Sequence, residues 1–272
     1  MRNAWEGTAR VVGMLATTLI AGCSPGVTTP TFPSLHLPAV DRVDGPSSLA
    51  SPSVPISGHL YRPAGERRAP AVVVLHGGHG IGEYALGWAS WLGSQGYVAL
   101  AVDSLGSRAP GEPRIWGGRR GVSLNEMAAD AYGAMAYLRT LPFVDSDRIA
   151  VMGWSQGGAA AFIAVNPAGR PALAHGGSGF RAAIGVYPIC ESLSPSTSVP
   201  VLLLLGDDDP YTPRCLQDAA AMQRERKPVT AKTYAGAKHG FDVPASPMYD
   251  GAATASARSH VRDFLRDSLA PR

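Results

Sequence analysis

The stretch Arg148-Ile149-Ala150-Val151-Met152-Gly153-Trp154-Ser155-Gln156-Gly157-Gly158 runs from a short apolar segment into an Ala-rich one. Residues 148–152 read as a strand and the residues after Gly157 as a helix, so Ser155 lies on the turn between them. A glycine two residues to either side is what a sharp, strained turn demands. A side chain at either place would collide with the neighbouring strand or helix. Such a turn lifts a hydroxyl to the C-terminal edge of a sheet, where a base can reach it. Ser155 is therefore the candidate nucleophile, weighed against an inert serine in a structural turn.

Around this turn, short and continuously apolar runs stand at residues 71–75 (AVVVL), 97–102 (YVALAV), 182–187 (AAIGVY) and 201–205 (VLLLL). Unbroken rather than alternating hydrophobicity marks strands covered on both faces, as in a parallel sheet. Helical stretches separate them. Ser123-Leu124-Asn125-Glu126 is a capping box, after which Met127, Ala131, Ala134, Met135 and Leu138 share one face. A last helix around 253–269 places Val261, Phe264, Leu265 and Leu269 on one stripe. The βα alternation predicts one α/β domain over residues 56–272, a mostly parallel central sheet with helices on both faces. Of 272 residues, 45% are hydrophobic and 17% charged, which excludes a mainly disordered chain. With 24 basic and 21 acidic residues the net charge is only +3, so no nucleic acid partner is expected.

A hydroxyl needs a base to take its proton. In proteins built on this strand–turn–helix element, the acid and then the histidine follow the serine in the chain. Of seven His, only His239 and His260 lie beyond the predicted acid strand. His260 falls within the last helix and reads as structural or surface. His239, in a loop after the strand 229–234, is the candidate base. The acid comes from Asp207-Asp208-Asp209, directly after the run 201–205, and these residues alone leave the choice among the three open. The loop Leu75-His76-Gly77-Gly78-His79-Gly80 is of the type that supplies one oxyanion-hole N–H, assigned to Gly78, and Gln156 after the nucleophile supplies the second. His76 and His79 invite a metal reading, but no acidic partner stands at ligand spacing. No metal and no cofactor are expected.

Substrate contacts are the least determined. Residues 105–121 hold Arg108, Arg114, Arg119 and Arg120 against one acid, Glu112, so this stretch is either a basic lid or a solvated charged loop. Arg108 and Trp154 are the candidate substrate-binding residues, with packing the competing role for Trp154.

At the N-terminus, residues 11–21 (VVGMLATTLIA) carry no charge. They are too few to cross a bilayer, which takes about 20 residues, and suit an export signal. Ile20-Ala21-Gly22-Cys23 resembles the bacterial lipobox, which implies cleavage of residues 1–22 and lipidation of Cys23. A secretory signal that happens to contain a Cys is the alternative. Ser24 after Cys23 is similar to outer-membrane sorting signals, which puts the chain in the cell envelope. Residues 23–55, rich in Ser, Thr and Pro, read as a flexible tether. If Cys23 carries lipid, Cys190 and Cys215 remain as an even pair in an oxidising compartment, and they are expected to form a disulfide.

Taken together, these residues resemble the dienelactone hydrolase family of α/β-hydrolases. The likeness covers roughly residues 58–269. It rests on Leu60-Tyr61-Arg62-Pro63, Leu75-His76-Gly77-Gly78, Val102-Asp103-Ser104-Leu105-Gly106-Ser107-Arg108, residues 148–158 and Lys238-His239-Gly240-Phe241. The resemblance implies an α/β-hydrolase fold and selects Asp209 as the acid, three residues after Gly206 and four before Pro213, with Asp208 the alternative. The namesake enzymes use a cysteine nucleophile and keep a Glu in the loop matching residues 75–80. This chain has Ser155 and no such Glu, so a serine esterase is expected rather than a hydrolase of dienelactone itself. Residues 148–158 are also similar to the corresponding part of cutinases and polyester hydrolases, so a polyester/cutinase-like hydrolase is one alternative. A peptidase or acyltransferase on the same triad, and a non-catalytic envelope lipoprotein, are the competing readings.

Overall fold

A computed structural model describes residues 26–35, 53–108, 122–167, 179–190 and 196–271. Its centre is a sheet of nine strands: β1 (Val27–Thr28), β2 (Thr31–Pro33), β3 (Pro55–Tyr61), β4 (Ala69–Leu75), β5 (Val98–Asp103), β6 (Val144–Trp154), β7 (Ala183–Val186), β8 (Val201–Gly206) and β9 (Val229–Tyr234). The spatial order is β1-β3-β5-β4-β6-β7-β8-β9, with β2 also on β3. From β5 to β9 every pairing is parallel, whereas β3 runs antiparallel to β5.

Among the described residues, five helices cover the sheet: α1 (Glu83–Ser94), α2 (Leu124–Thr140), α3 (Gln156–Val165), α4 (Thr212–Arg224) and α5 (Gly251–Ser268). In β4, Ala71, Val73 and Leu75 belong to one buried apolar cluster with residues of α2, α3 and α4, while Val72 and Val74 belong to another with residues of α1 and α5. This two-sided burial is why the strand sequences are apolar without alternation. β3, which lies between β5 and the short strands β1 and β2, alternates between covered and half-open positions instead. The capping box of α2 forms as its sequence requires: Ser123 Oγ accepts from Glu126 N, and Glu126 returns a carboxylate to Ser123 N.

The expected tether differs. The export signal and Cys23 lie outside the described residues, but residues 26–35 are part of the fold. β1 and β2 pair antiparallel with β3, Phe32 is buried, and Ser34 Oγ donates to Asp130 on α2 at 2.5 Å. A Cβ on Gly133 would stand 2.3 Å from the Pro33 carbonyl oxygen, so the helix is cut away to admit this segment. The physical reason is the outer edge of β3, which would otherwise present unpaired N–H and C=O groups.

Candidate active site

The serine sits where its turn predicts, between β6 and α3. Its backbone is at φ 49°, ψ −112°, in the positive-φ region that costs a residue with a Cβ about 1–3 kcal/mol. The flanking glycines explain how such a turn closes. A Cβ on Gly153 would lie 2.2 Å from the Gly157 carbonyl oxygen, and one on Gly157 would lie 2.3 Å from that of His76. Helix and strand therefore touch through main chain on both sides of Ser155.

Ser155 Oγ is 2.9 Å from His239 Nε2, and His239 Nδ1 is 2.7 Å from Asp209 Oδ2. Three separate segments meet here. Gly206, at the end of β8, faces the His239 loop so closely that a Cβ would stand 2.2 Å from the Ala237 carbonyl. Asp208 N donates to that same carbonyl, and Gly236 N donates to Asp207 Oδ1. The three consecutive carboxylates thus separate by role. Asp207 and Asp208 are exposed, with Asp208 3.6 Å from Lys238, while Asp209 is 3% exposed and its second oxygen accepts from Tyr211 N. Only the third Asp reaches the imidazole.

The loop after β4 lies against the serine. A Cβ on Gly77 would be 3.7 Å from Ser155 Cβ. The Gly77 N–H is taken by Tyr84 Oη at 2.7 Å, and burial pushes that phenol up to about 12, so it keeps its proton. Gly78 N and Gln156 N, the expected oxyanion donors, give no hydrogen bond to protein among the described residues. His76 is buried, its Nδ1 2.7 Å from the Gly77 oxygen and its Nε2 accepting from Leu105 N. That ties the loops after β4 and β5 together. His79 is exposed, and among the described residues no three His, Cys, Asp or Glu side chains stand together at a spacing suited to a metal ion.

The two candidate substrate-binding side chains are both engaged by buried carboxylates of the protein. Trp154 has no exposed surface and donates its indole N–H to Asp242 at 2.6 Å, so it packs behind the serine. Arg108 makes a two-pronged ion pair with the fully buried Asp130, at 2.6 and 2.8 Å. A buried carboxylate requires such a partner, and this one engages the guanidinium inside the fold. Residues 109–121, the rest of the basic stretch, lie outside the described residues. His260 of α5 stands with Nδ1 3.0 Å from Tyr234 Oη at the end of β9, a packing role.

Cys190 and Cys215 form a disulfide with a Cα separation of 5.3 Å. It ties the segment after β7 to the first turns of α4, the helix that follows Asp209. Two aromatic rings that no sequence motif marks lie against the imidazole, Tyr187 at 4.7 Å and Tyr211 at 5.4 Å between centroids. The proximity of Tyr211 to Asp209 in the chain was the available signal for one of them.

A mostly parallel sheet with a serine on a tight β6–α3 turn, and an acid and a histidine on the loops after β8 and β9, defines an α/β-hydrolase. Solved structures of a "Putative Dienelactone Hydrolase" and of an esterase share this architecture. The model of the dienelactone hydrolase family matches residues 56–269, and the chain belongs to that family of hydrolases. It is 28% identical over 253 residues to a Bradyrhizobium protein named "Probable 2-oxo-3-(5-oxofuran-2-ylidene)propanoate lactonase", covering 84% of this chain and 94% of the relative. It is 25% identical over 219 residues to the carboxymethylenebutenolidase of Pseudomonas sp. strain P51, covering 76% and 88%. The crystal structure of a Thermogutta terrifontis esterase superposes with a TM-score of 0.61 at 22% identity, covering 80% of this chain and 90% of that one.

Proposed function

We propose that the chain is an exported serine hydrolase that cleaves carboxylic esters by acylating Ser155 and passing the acyl group to water. The observation that carries this reading is the unbroken chain of contacts from Ser155 through His239 to Asp209, at 2.9 and 2.7 Å. His239 Nε2 takes the hydroxyl proton as Oγ attacks the ester carbonyl. Asp209 accepts the Nδ1–H, which fixes the tautomer and stabilises the imidazolium. The Gly78 and Gln156 N–H groups receive the carbonyl oxygen as it becomes an oxyanion, and a donor in this role is worth about 3–4 kcal/mol. The imidazolium returns its proton to the departing alcohol. Water, deprotonated by the same nitrogen, then frees the acyl group.

The lactonase and carboxymethylenebutenolidase relatives favour an ester or lactone bond over an amide. A hydroxyl nucleophile, and a loop at 75–80 without a carboxylate, favour ordinary esters over dienelactone. Export and anchoring through Cys23 belong to the same proposal, because residues 11–23 carry the uncharged run and the cysteine that such an anchor needs. With residues 26–35 on the sheet edge, a lipid there would hold the domain close to the membrane.

A fluorophosphonate probe tests the chemistry. Labelling of Ser155 and turnover of short p-nitrophenyl esters are expected, with both lost in Ser155→Ala. Folded wild-type protein that neither labels nor turns over would favour a non-catalytic scaffold. Palmitate incorporation in a bacterial host should disappear in Cys23→Ala, and persisting label would overturn the anchor.

A further inference from the structure

Asp242 lies three residues beyond His239 and has no role in the chemistry above. It is 2% exposed, and donors from three separate elements converge on it. Trp88 Nε1 of α1 donates at 2.7 Å, Trp154 Nε1 beside the serine at 2.6 Å, and Tyr187 Oη after β7 at 2.5 Å. All of these are donors. A proton on either carboxyl oxygen would oppose one of them or force the phenol to turn its hydrogen away. The arrangement therefore fits the ionised form. Burial raises the carboxyl above its ordinary range, and the three hydrogen bonds offset part of that rise.

No ion pair neutralises this charge among the described residues. The Arg258 guanidinium of α5 lies over the Trp88 ring, 5.2 Å from its centroid, and contacts the indole rather than the carboxylate. The Tyr84 phenol of α1 is the other titratable group that senses Asp242. The groups facing His239 are Asp209, Ser155, Tyr187 and Tyr211, with the Asp208–Lys238 pair on the exposed side of its loop.

Tyr187 joins the two sites. Its ring lies 4.7 Å from the imidazole, and its hydroxyl is held by Asp242. Its backbone is at φ 38°, a strained conformation for a residue with a Cβ, which persists only where surroundings enforce it. A phenol that donates to a carboxylate has a more electron-rich ring, and a ring face attracts a cation more strongly as its electron density rises.

We propose that Asp242 is a positioning residue whose buried negative charge, delivered through Tyr187, favours the imidazolium that His239 becomes when it deprotonates Ser155. The proposal rests on the Ser155–His239–Asp209 reading. The Asp242 side chain also pins the His239 loop to Trp154, so the base and the nucleophile share one anchor.

The test is the pH dependence of fluorophosphonate labelling and of kcat/KM in wild type, Asp242→Asn and Tyr187→Phe. Asn can still accept from both indoles and donate to the phenol oxygen, so it removes charge with little change of shape. Loss of a negative charge disfavours the imidazolium, so the acid limb moves to lower pH. A shift of about one unit and a roughly tenfold fall in kcat are expected. Tyr187→Phe should move the limb in the same direction by less, and it carries the test if the Asn variant does not fold. A merely structural role would lower the melting temperature and leave the limb in place, and that outcome overturns the proposal. Wild-type protein that does not label at Ser155 would overturn the triad reading and the proposal together. Labelling with an unmoved acid limb overturns the proposal alone.

Discussion

Replacing Gly157 by Ala tests whether the turn around Ser155 is set by main-chain contact. The added Cβ would stand 2.3 Å from the His76 oxygen and 2.6 Å from the Leu75 oxygen, against the 3.4 Å at which ordinary contact begins. The deficit of 1.1 Å cannot be relieved by a rotamer change, because both neighbours are backbone. The N-terminus of α3 must therefore withdraw by about 1 Å, carrying Ser155 and the Gln156 N–H with it. Overpacking of this kind costs about 2 kcal/mol, a fall of roughly 4–8 °C in Tm for a domain of this size. A displacement of about 1 Å at a nucleophile can cost on the order of 100-fold in rate, so kcat/KM should fall by about that factor. The assays are thermal melting by circular dichroism and p-nitrophenyl butyrate hydrolysis. Gly87→Ala on α1 is the control. Nothing lies within 4 Å of the new Cβ, so this variant should gain about 0.5–1 kcal/mol and keep its activity. Gly157→Ala with wild-type Tm and kcat/KM would refute the account of the turn.

Asp209→Asn should lower kcat by about 10³–10⁴-fold, whereas Asp208→Asn should change it little, its contact with Lys238 being exposed and 3.6 Å long. Steady-state kinetics on the two variants distinguishes the acids. Arg108→Ala should destabilise by about 3–5 kcal/mol, because Asp130 is left charged in the core, and a raised KM at unchanged Tm would restore the substrate-binding role instead. Opening the Cys190–Cys215 bridge by Ser substitution at both sites should cost about 3–4 kcal/mol, read by urea unfolding. Burial and Lys232 lower the His260 pKa below its ordinary 6.5, so the unfolded chain binds this proton more readily. Stability is therefore lost as pH falls through and below that value, and His260→Gln should flatten the Tm profile there.

Much of the site is legible in the sequence because its chemistry imposes local demands. Ser155 needs glycines at 153 and 157, the acid and histidine follow it in order, and strands buried on both faces are apolar throughout. The rest depends on contacts between distant residues. β1 and β2 are two and three residues long, rich in Thr and Pro, and exist only because β3 offers an open edge. The positive φ of Tyr187 leaves no mark on the run 182–187, which reads as plain strand. Arg108 suggested substrate binding because its partner, Asp130, sits among the Ala-rich turns of α2, where an acid on a buried face calls for a cation. Asp242 gains meaning only when Trp88 and Trp154, 66 residues apart in sequence, meet on it.

The covalent intermediate offers the most direct measurement. Enzyme mixed with p-nitrophenyl butyrate, quenched in acid within the first turnover and digested, should carry the butyryl group on the peptide containing Ser155, with a burst of nitrophenol equal to the enzyme present. An acyl group found on another residue, or full turnover by Ser155→Ala, would contradict the account.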